Sequence, residues 1–199
     1  MRAIVLGAGL LLLGCHHFGE LSFPAEYIRQ GDSAMGAPSC AGISQIAVID
    51  PRPNPSVVGD RIRDDEPPAY PVTMTGDVSG WIRTGFESQA RSAGFLMGNS
   101  AHPTLQVTVK SLEVHEKVAS HGGYNSRLVV DVAVISATGA ICFTNSYEGA
   151  GKNFGSDGSI INYQETMNRG LDKTVAAVLN TQQVRDALCG QCAGTPVTP

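Results

Sequence analysis

From residue 43 onward the apolar positions recur with two different periods, and the points where the period changes divide the chain into strands and helices. Ile43 to Asp50 (ISQIAVID) is rich in β-branched residues and reads as a strand, stopped by the prolines at 51, 53 and 55. Pro51 to Gly76 shows no sustained period and reads as a long loop with a charged stretch at Asp60 to Glu66. A loop of that length in a compact domain is functional or mobile. Asp77 stands at an N-cap position; Val78, Ile82, Phe86, Ala90 and Ala93 then recur at helical spacing beside Trp81, and Gly94 supplies a stop. Phe95 to Met97 is a short strand candidate. Thr104 to Val118 alternates as Leu105, Val107 and Val109, then shifts phase to Leu112 and Val114, which predicts a bulge at Lys110 or Ser111.

Gly122-Gly123 turns the chain, and Tyr124 to Ile135 is the clearest strand, with Leu128, Val130, Val132 and Val134 on one face. Thr138-Gly139 marks a hairpin, and Ile141, Phe143 and Tyr147 line the next strand. Gly149 to Gly158 reads as a glycine-rich loop. Tyr163, Met167, Leu171, Val175 and Val178 describe an amphipathic helix, after which Thr181 caps a short final helix through Val184 and Leu188. The order strand, helix, three or four antiparallel strands, helix predicts an α+β fold: an antiparallel sheet of four to five strands with two main helices packed on one face. Strands that alternate apolar and polar leave the other face wet or available to a partner.

The segment before residue 43 obeys a different pattern. Met1-Arg2 is followed by an unbroken apolar run from Ala3 to Leu13 and then Gly14-Cys15. The run is too short for a stable transmembrane anchor and has the flanks of a signal peptide. Leu12-Leu13-Gly14-Cys15 resembles the bacterial lipobox, in which cleavage precedes a cysteine whose thiol has been lipidated. The expected organisation is a signal peptide over 1–14, a lipidated N-terminus and tether over 15–42, one α+β domain over 43–192 and a flexible tail over 193–199. His16 to Gly42 has no sustained period, apart from partial structure around Phe18 to Ile28, and fully extended would reach on the order of 90 Å.

Charge and composition narrow the functional classes. The net charge is −4 with scattered Lys and Arg, so the chain has no electrostatic footprint for nucleic acid and no polybasic patch for anionic lipid. Attachment to a membrane is then expected from acyl chains on Cys15, and no other cofactor is expected. Aromatics make up only 6% of residues, so the core must be mainly aliphatic. Besides Cys15 there are Cys40, Cys142, Cys189 and Cys192. An even number in an oxidising compartment favours disulfides between distant segments, with three connectivities open. Cys142 alternates with Thr144, Ser146 and Glu148, which puts it on the polar face of its strand.

Three motifs lose to simpler readings. Gly31-Asp32-Ser33-Ala34-Met35-Gly36 echoes the nucleophile block of GDS-type esterases. Yet the histidines stand at 16, 17, 102, 115 and 121, none near the C-terminus and none in an Asp-x-x-His arrangement. Cys189-Gly190-Gln191-Cys192 has redox or zinc spacing, but it closes a helix instead of opening one and has no second pair. His115, Glu116 and His121 flank a turn, and Asp131 lies in the next strand; a solvated strand end explains them. Trp81 and Phe86 read as core. No catalytic residues and no metal ligands are assigned.

The lipobox, the strand ending in Asp50-Pro-Arg52, Gly59 followed by Arg61, and the helix Asp77 to Gly94 with its Ala-x-Gly-Phe ending together resemble the YajG-like family of bacterial lipoproteins. The paired strands from Leu105 to Ala137 and the close Thr181-Gln-Gln-Val-Arg-Asp-Ala-Leu188 extend the likeness over most of the mature chain. The resemblance implies an envelope lipoprotein without an established catalytic activity, and a similar layout occurs in auxiliary lipoproteins of lipid-transport systems. With His16 after the lipidated cysteine, the usual sorting rule favours the outer membrane, facing the periplasm. The expected function is a non-enzymatic accessory or scaffold that binds an envelope protein through its free sheet face or an exposed edge. Thr108, Asp131 and Thr144 mark that face by alternation. The alternative is a module that binds a lipid or cell-wall fragment beneath the loop Pro51 to Gly76.

Overall fold

A computed structural model describes residues 19–31, 34–63, 66–118 and 123–192. Cys15, Ser33, His121 and the tail over 193–199, each singled out in the sequence, lie outside these. The element order is β1 (Leu21–Pro24), β2 (Gly42–Ile43), β3 (Ile46–Ile49), β4 (Val57–Arg63), β5 (Glu66–Thr75), α1 (Val78–Ala93), β6 (Leu96–Met97), β7 (Thr104–Val118), β8 (Gly123–Ile135), β9 (Ile141–Phe154), α2 (Ile160–Asn180) and α3 (Gln182–Leu188). The fold is α+β, as expected. Its main sheet, however, has seven strands, in the order β1-β5-β4-β7-β8-β9 with β3 also on β7.

The long strand β7 organises the sheet. β8 runs antiparallel along one side of it, with a register shift between Val109 and Ser111 where the phase change predicts a bulge. The other side is shared by two parallel partners: β3 pairs with Leu105 to Thr108 and β4 with Val114 to Val118. The bulge falls in the gap between them. Asp50 and Arg52 form an ion pair at 2.7 Å there, and Arg52 also donates to the carbonyl of Pro55, so the proline-rich excursion is braced as the chain leaves β7 and returns to it.

Three expectations are corrected. Pro51 to Gly76 is not a loop: most of it is the antiparallel pair β4–β5. Pro68 and Pro71 can stand in β5 because β1 covers its outer side only from Val72 onward, and a proline on an uncovered edge breaks no ladder bond. Gly149 to Gly158 is not wholly a loop either, since β9 continues to Phe154. Gly149 and Gly151 are where α2 presses on the sheet. A Cβ at Gly151 would lie 2.0 Å from the carbonyl oxygen of Thr166, and one at Gly149 would lie 2.3 Å from that of Gly170. The glycines permit a close helix–strand approach.

The third correction concerns the tether. From Gly19 on, the segment expected to be a tether is built into the domain. β1 pairs with β5, and beyond it the chain crosses the helices held by side chains of α2 and α3. Asp172 accepts from the Tyr27 hydroxyl (2.7 Å) and the Gln30 amide (2.6 Å); Asn180 accepts from the Met35 amide (2.6 Å); Arg185 donates to the Gly36 carbonyl. Cys40–Cys189 then staples the segment to the end of α3, and Cys142–Cys192 ties the following residues to β9. The two cysteines of the CxxC thus go to different partners, which leaves no dithiol pair there.

The helices form as their patterns predict. Asp77 caps α1 through the Gly80 amide at 2.8 Å, and Gly94 closes it in the left-handed region. Ser159 caps α2 through the Asn162 amide. Thr181 occupies the N-cap position of α3 but makes no side-chain cap; its hydroxyl donates back to the Ala177 carbonyl. Val107, Val109, Leu112 and Val114 of β7 and Leu128, Val130, Val132 and Val134 of β8 are buried with Ile82, Phe86, Met167, Leu171, Val175 and Val178 of the helices. Full burial of each such side chain is worth about 1.5–3 kcal/mol. Trp81 is core too, and its indole N–H donates to Asn168.

Candidate interaction face

Because successive residues of a strand point to opposite sides, burying the apolar set of β7 and β8 against the helices leaves the alternate set on a face that no described element covers. Thr108 stands opposite Asp131, and Asp131 opposite Ser146, forming one cross-strand row over β7, β8 and β9. Thr144 stands one row away, opposite Ala133. The three residues singled out from the sequence therefore share a face, as alternation predicts. Gln106, Thr108, Asp131, Ala133, Thr144 and Ser146 surround a shallow open depression of about 440 Å³.

The chemistry of this face is polar and of alternating sign. The Asp131 carboxylate accepts from the Ser146 hydroxyl and lies 3.2 Å from the Lys110 ammonium. The Ser146 hydrogen bond, aided by Lys110, holds its pKa below the ordinary aspartate value. Arg127 donates through two nitrogens to the two carboxylate oxygens of Glu148, both at 2.8 Å. That bidentate bond, with the charge of Arg127, lowers the pKa of Glu148 and raises that of the guanidinium. His115 Nδ1 lies 3.0 Å from Asp60, with its side chain half exposed. Glu116, the neighbour of His115, points the opposite way into the protein. Among the described residues no group of three or more His, Cys, Asp or Glu side chains is placed to hold a metal ion.

Two buried polar clusters escaped the sequence reading. In the first, Glu116 accepts from Arg61 Nε (2.8 Å), the Tyr163 hydroxyl (2.6 Å) and the Gly158 amide (2.5 Å). The Tyr124 hydroxyl donates to the Ser156 carbonyl and accepts from the Ser159 amide at 3.1 Å. Burial, together with the nearby Glu116 carboxylate, pushes Tyr124 up to about 12 and Tyr163 higher still. The cluster fixes the residues that lead from β9 into α2. In the second, Asp172 receives Tyr27, Gln30 and Gln89, joining α1, α2 and the N-terminal segment. Burial and the Asp172 hydrogen bond raise the pKa of Tyr27. A signal for both exists in the sequence: Glu116 shares the apolar phase of Leu112 and Val114, and Asp172 adjoins Leu171 on the apolar stripe of α2. A charge in an apolar phase marks a buried network.

A family model described as an uncharacterized lipoprotein matches residues 39–188. No curated protein matches the sequence. Among solved structures, protein XCC0632 from Xanthomonas campestris is 10% identical with a TM-score of 0.54, covering 83% of this chain and 99% of its own; the likeness is one of fold. A candidate lipoprotein from Caulobacter crescentus is 14% identical over 69% of this chain and 95% of its own, with a TM-score of 0.44. A minor lipoprotein from Acinetobacter baumannii is 9% identical over 75% of this chain and 93% of its own, with a TM-score of 0.36.

Proposed function

Since the chain belongs to this family of YajG-like envelope lipoproteins, we propose that it is a non-enzymatic accessory or scaffold, anchored by acyl chains on Cys15 and holding an envelope protein partner on its uncovered sheet face. The observation that carries the reading is the face itself: a row of Thr108, Asp131 and Ser146 around an open polar depression, with nothing described lying over it. Side chains there are already ordered by neighbours, so a partner meets a surface that loses little rotamer freedom on binding. β9 ends the sheet order, which leaves its outer edge as a second place for an extended segment to add. The outer membrane, facing the periplasm, is the proposed location.

The alternative, a lipid- or cell-wall-fragment-binding module, needs a concave apolar cavity under residues 51–76. Those residues are largely paired sheet, and the hollow beside Arg52, Asn54 and Lys110 is open, which favours the scaffold. Photo-crosslinking amino acids placed at Thr108, Asp131 and Thr144 in cells should each test the face, and at least one should yield a discrete protein adduct. Silence at all three, together with a lipid or glycan retained by the purified protein, would replace the scaffold with the ligand-binding module.

A further inference from the structure

Exposed large apolar side chains are scattered over the molecule, but the two most exposed, with a third beside them, share one end. Phe154 is 74% exposed, Ile161 65% and Ile160 46%. Phe154 ends β9 opposite Gly123, the first residue of β8, and the two isoleucines open α2. Both segments are pinned to the Glu116 cluster, through the Gly158 amide on Glu116 and the Ser159 amide on Tyr124. The beginning of the described chain reaches the same cluster: the Gly19 carbonyl accepts from Arg61 Nη1 at 3.3 Å. The apolar end and the entry of the N-terminal chain therefore coincide.

Only His16, His17 and Phe18 separate Gly19 from Cys15. Four residue steps span at most about 14 Å. Acyl chains on Cys15 put that residue at the bilayer interface, whose polar layer is itself about 5–7 Å deep on each side. So short a connection holds the Gly19 end of the domain within about 10 Å of the headgroup surface. We infer that Phe154, Ile160 and Ile161 dock on the phospholipid bilayer that holds the acyl chains of Cys15, so that the domain is seated on the membrane by this end. The inference rests on Cys15 being the lipidated residue. Side chains of this kind insert at the boundary between headgroups and acyl chains, where a lipid anchor beside them supplies the residence time that three residues alone would not. The strands then rise from the surface. Asp131 lies eight residues along β8 from Gly123, which places the depression around it up to about 27 Å from the docked end, open to a partner approaching from the aqueous side.

The test uses the full-length lipidated protein in vesicles of phosphatidylethanolamine and phosphatidylglycerol carrying brominated acyl chains, which quench tryptophan on contact. Trp81 is the single native tryptophan and is buried, so it supplies a constant background. Phe154→Trp and Ile161→Trp report the docking end independently of one another, and Ile141→Trp reports the opposite end of β9. Intact mass reads the lipid on Cys15 separately. The expected result is lipid on Cys15, with about a twofold loss of the added emission at 154 and 161 and none at 141. Lipid on Cys15 with no quenching at 154 and 161, or with equal quenching at 141, overturns the docking and leaves the anchor intact. Absence of lipid on Cys15 overturns the anchor, and the docking with it.

Discussion

On the helix-facing side of β7, Glu116 is 1% exposed, and its carboxylate gathers donors from Arg61, Tyr163 and Gly158. On the uncovered side of β9, Glu148 takes both arms of Arg127 while each side chain remains half in water. The ion-pair distance is 2.8 Å in both cases. What differs is the medium. A buried carboxylate stripped of one partner has no water to replace it, whereas an exposed one is rehydrated at once, so equal geometry carries unequal energy. The inner pair belongs to the structure of the fold, and the outer pair to the character of a surface that stays available.

The comparison breaks most visibly at Glu116. Glu116→Ala would leave the Arg61 guanidinium, the Tyr163 hydroxyl and the Gly158 amide facing a gap, and the expected loss is about 3–5 kcal/mol. Urea denaturation with the disulfides intact measures it. A loss below about 1 kcal/mol would mean that water reaches the cluster and that the inner pair behaves like the outer one. Replacing Arg61 and Glu116 together by apolar residues of similar volume should recover much of the loss, because no charge is then left buried alone.

A smaller effect comes from the other close contact of the inner face. Gly151→Val places a branched side chain where the carbonyl of Thr166 lies 2.0 Å from the Cβ position. The obstacle is helix backbone, which moves only by shifting α2 off the sheet, and the expected cost is about 1–3 kcal/mol, read as a lower urea midpoint. A variant as stable as the parent would show that α2 rides loosely on β9.

This contact also shows what was legible in the sequence and why the rest was not. Regular burial leaves a periodic trace, and the elements that have one were found: α1 from Val78, Ile82, Phe86 and Ala90; α2 from Tyr163, Met167, Leu171 and Val175; β8 from its alternation; and the β7 bulge from its phase change. Missed elements are held by features without a period. Gly149 and Gly151 read as loop because the property they contribute is the absence of a side chain. Pro68 and Pro71 read as loop because whether a proline is tolerated depends on which edge of β5 is covered, a fact of topology. The N-terminal segment read as a tether because its bonds come from Asp172, Asn180 and Arg185, more than a hundred residues away. The face marked by Thr108, Asp131 and Thr144 was legible because it is the complement of a periodic core.

The smallest effect is expected on that face, and it sharpens the comparison by separating a shift in pKa from a change in stability. Arg127 is the main cause of the depressed pKa of Glu148. A carboxylate whose pKa is lower in the folded than in the unfolded state contributes stability above its unfolded value, about 4.3, and loses that contribution as the pH falls through the folded value. Arg127→Ala should therefore raise the Glu148 pKa toward the ordinary glutamate value, seen as an upward move of its carboxyl carbon titration by NMR. The shallow loss of stability on the acid side that belongs to this pair should vanish with it. At neutral pH the urea midpoint should not move measurably, because water screens the pair and rehydrates Glu148 when its partner is gone. A marked fall in the midpoint at neutral pH would place Arg127 and Glu148 among the interactions that hold the sheet together, and the surface they share with Asp131 would then be part of the fold's framework and not a face kept free for binding.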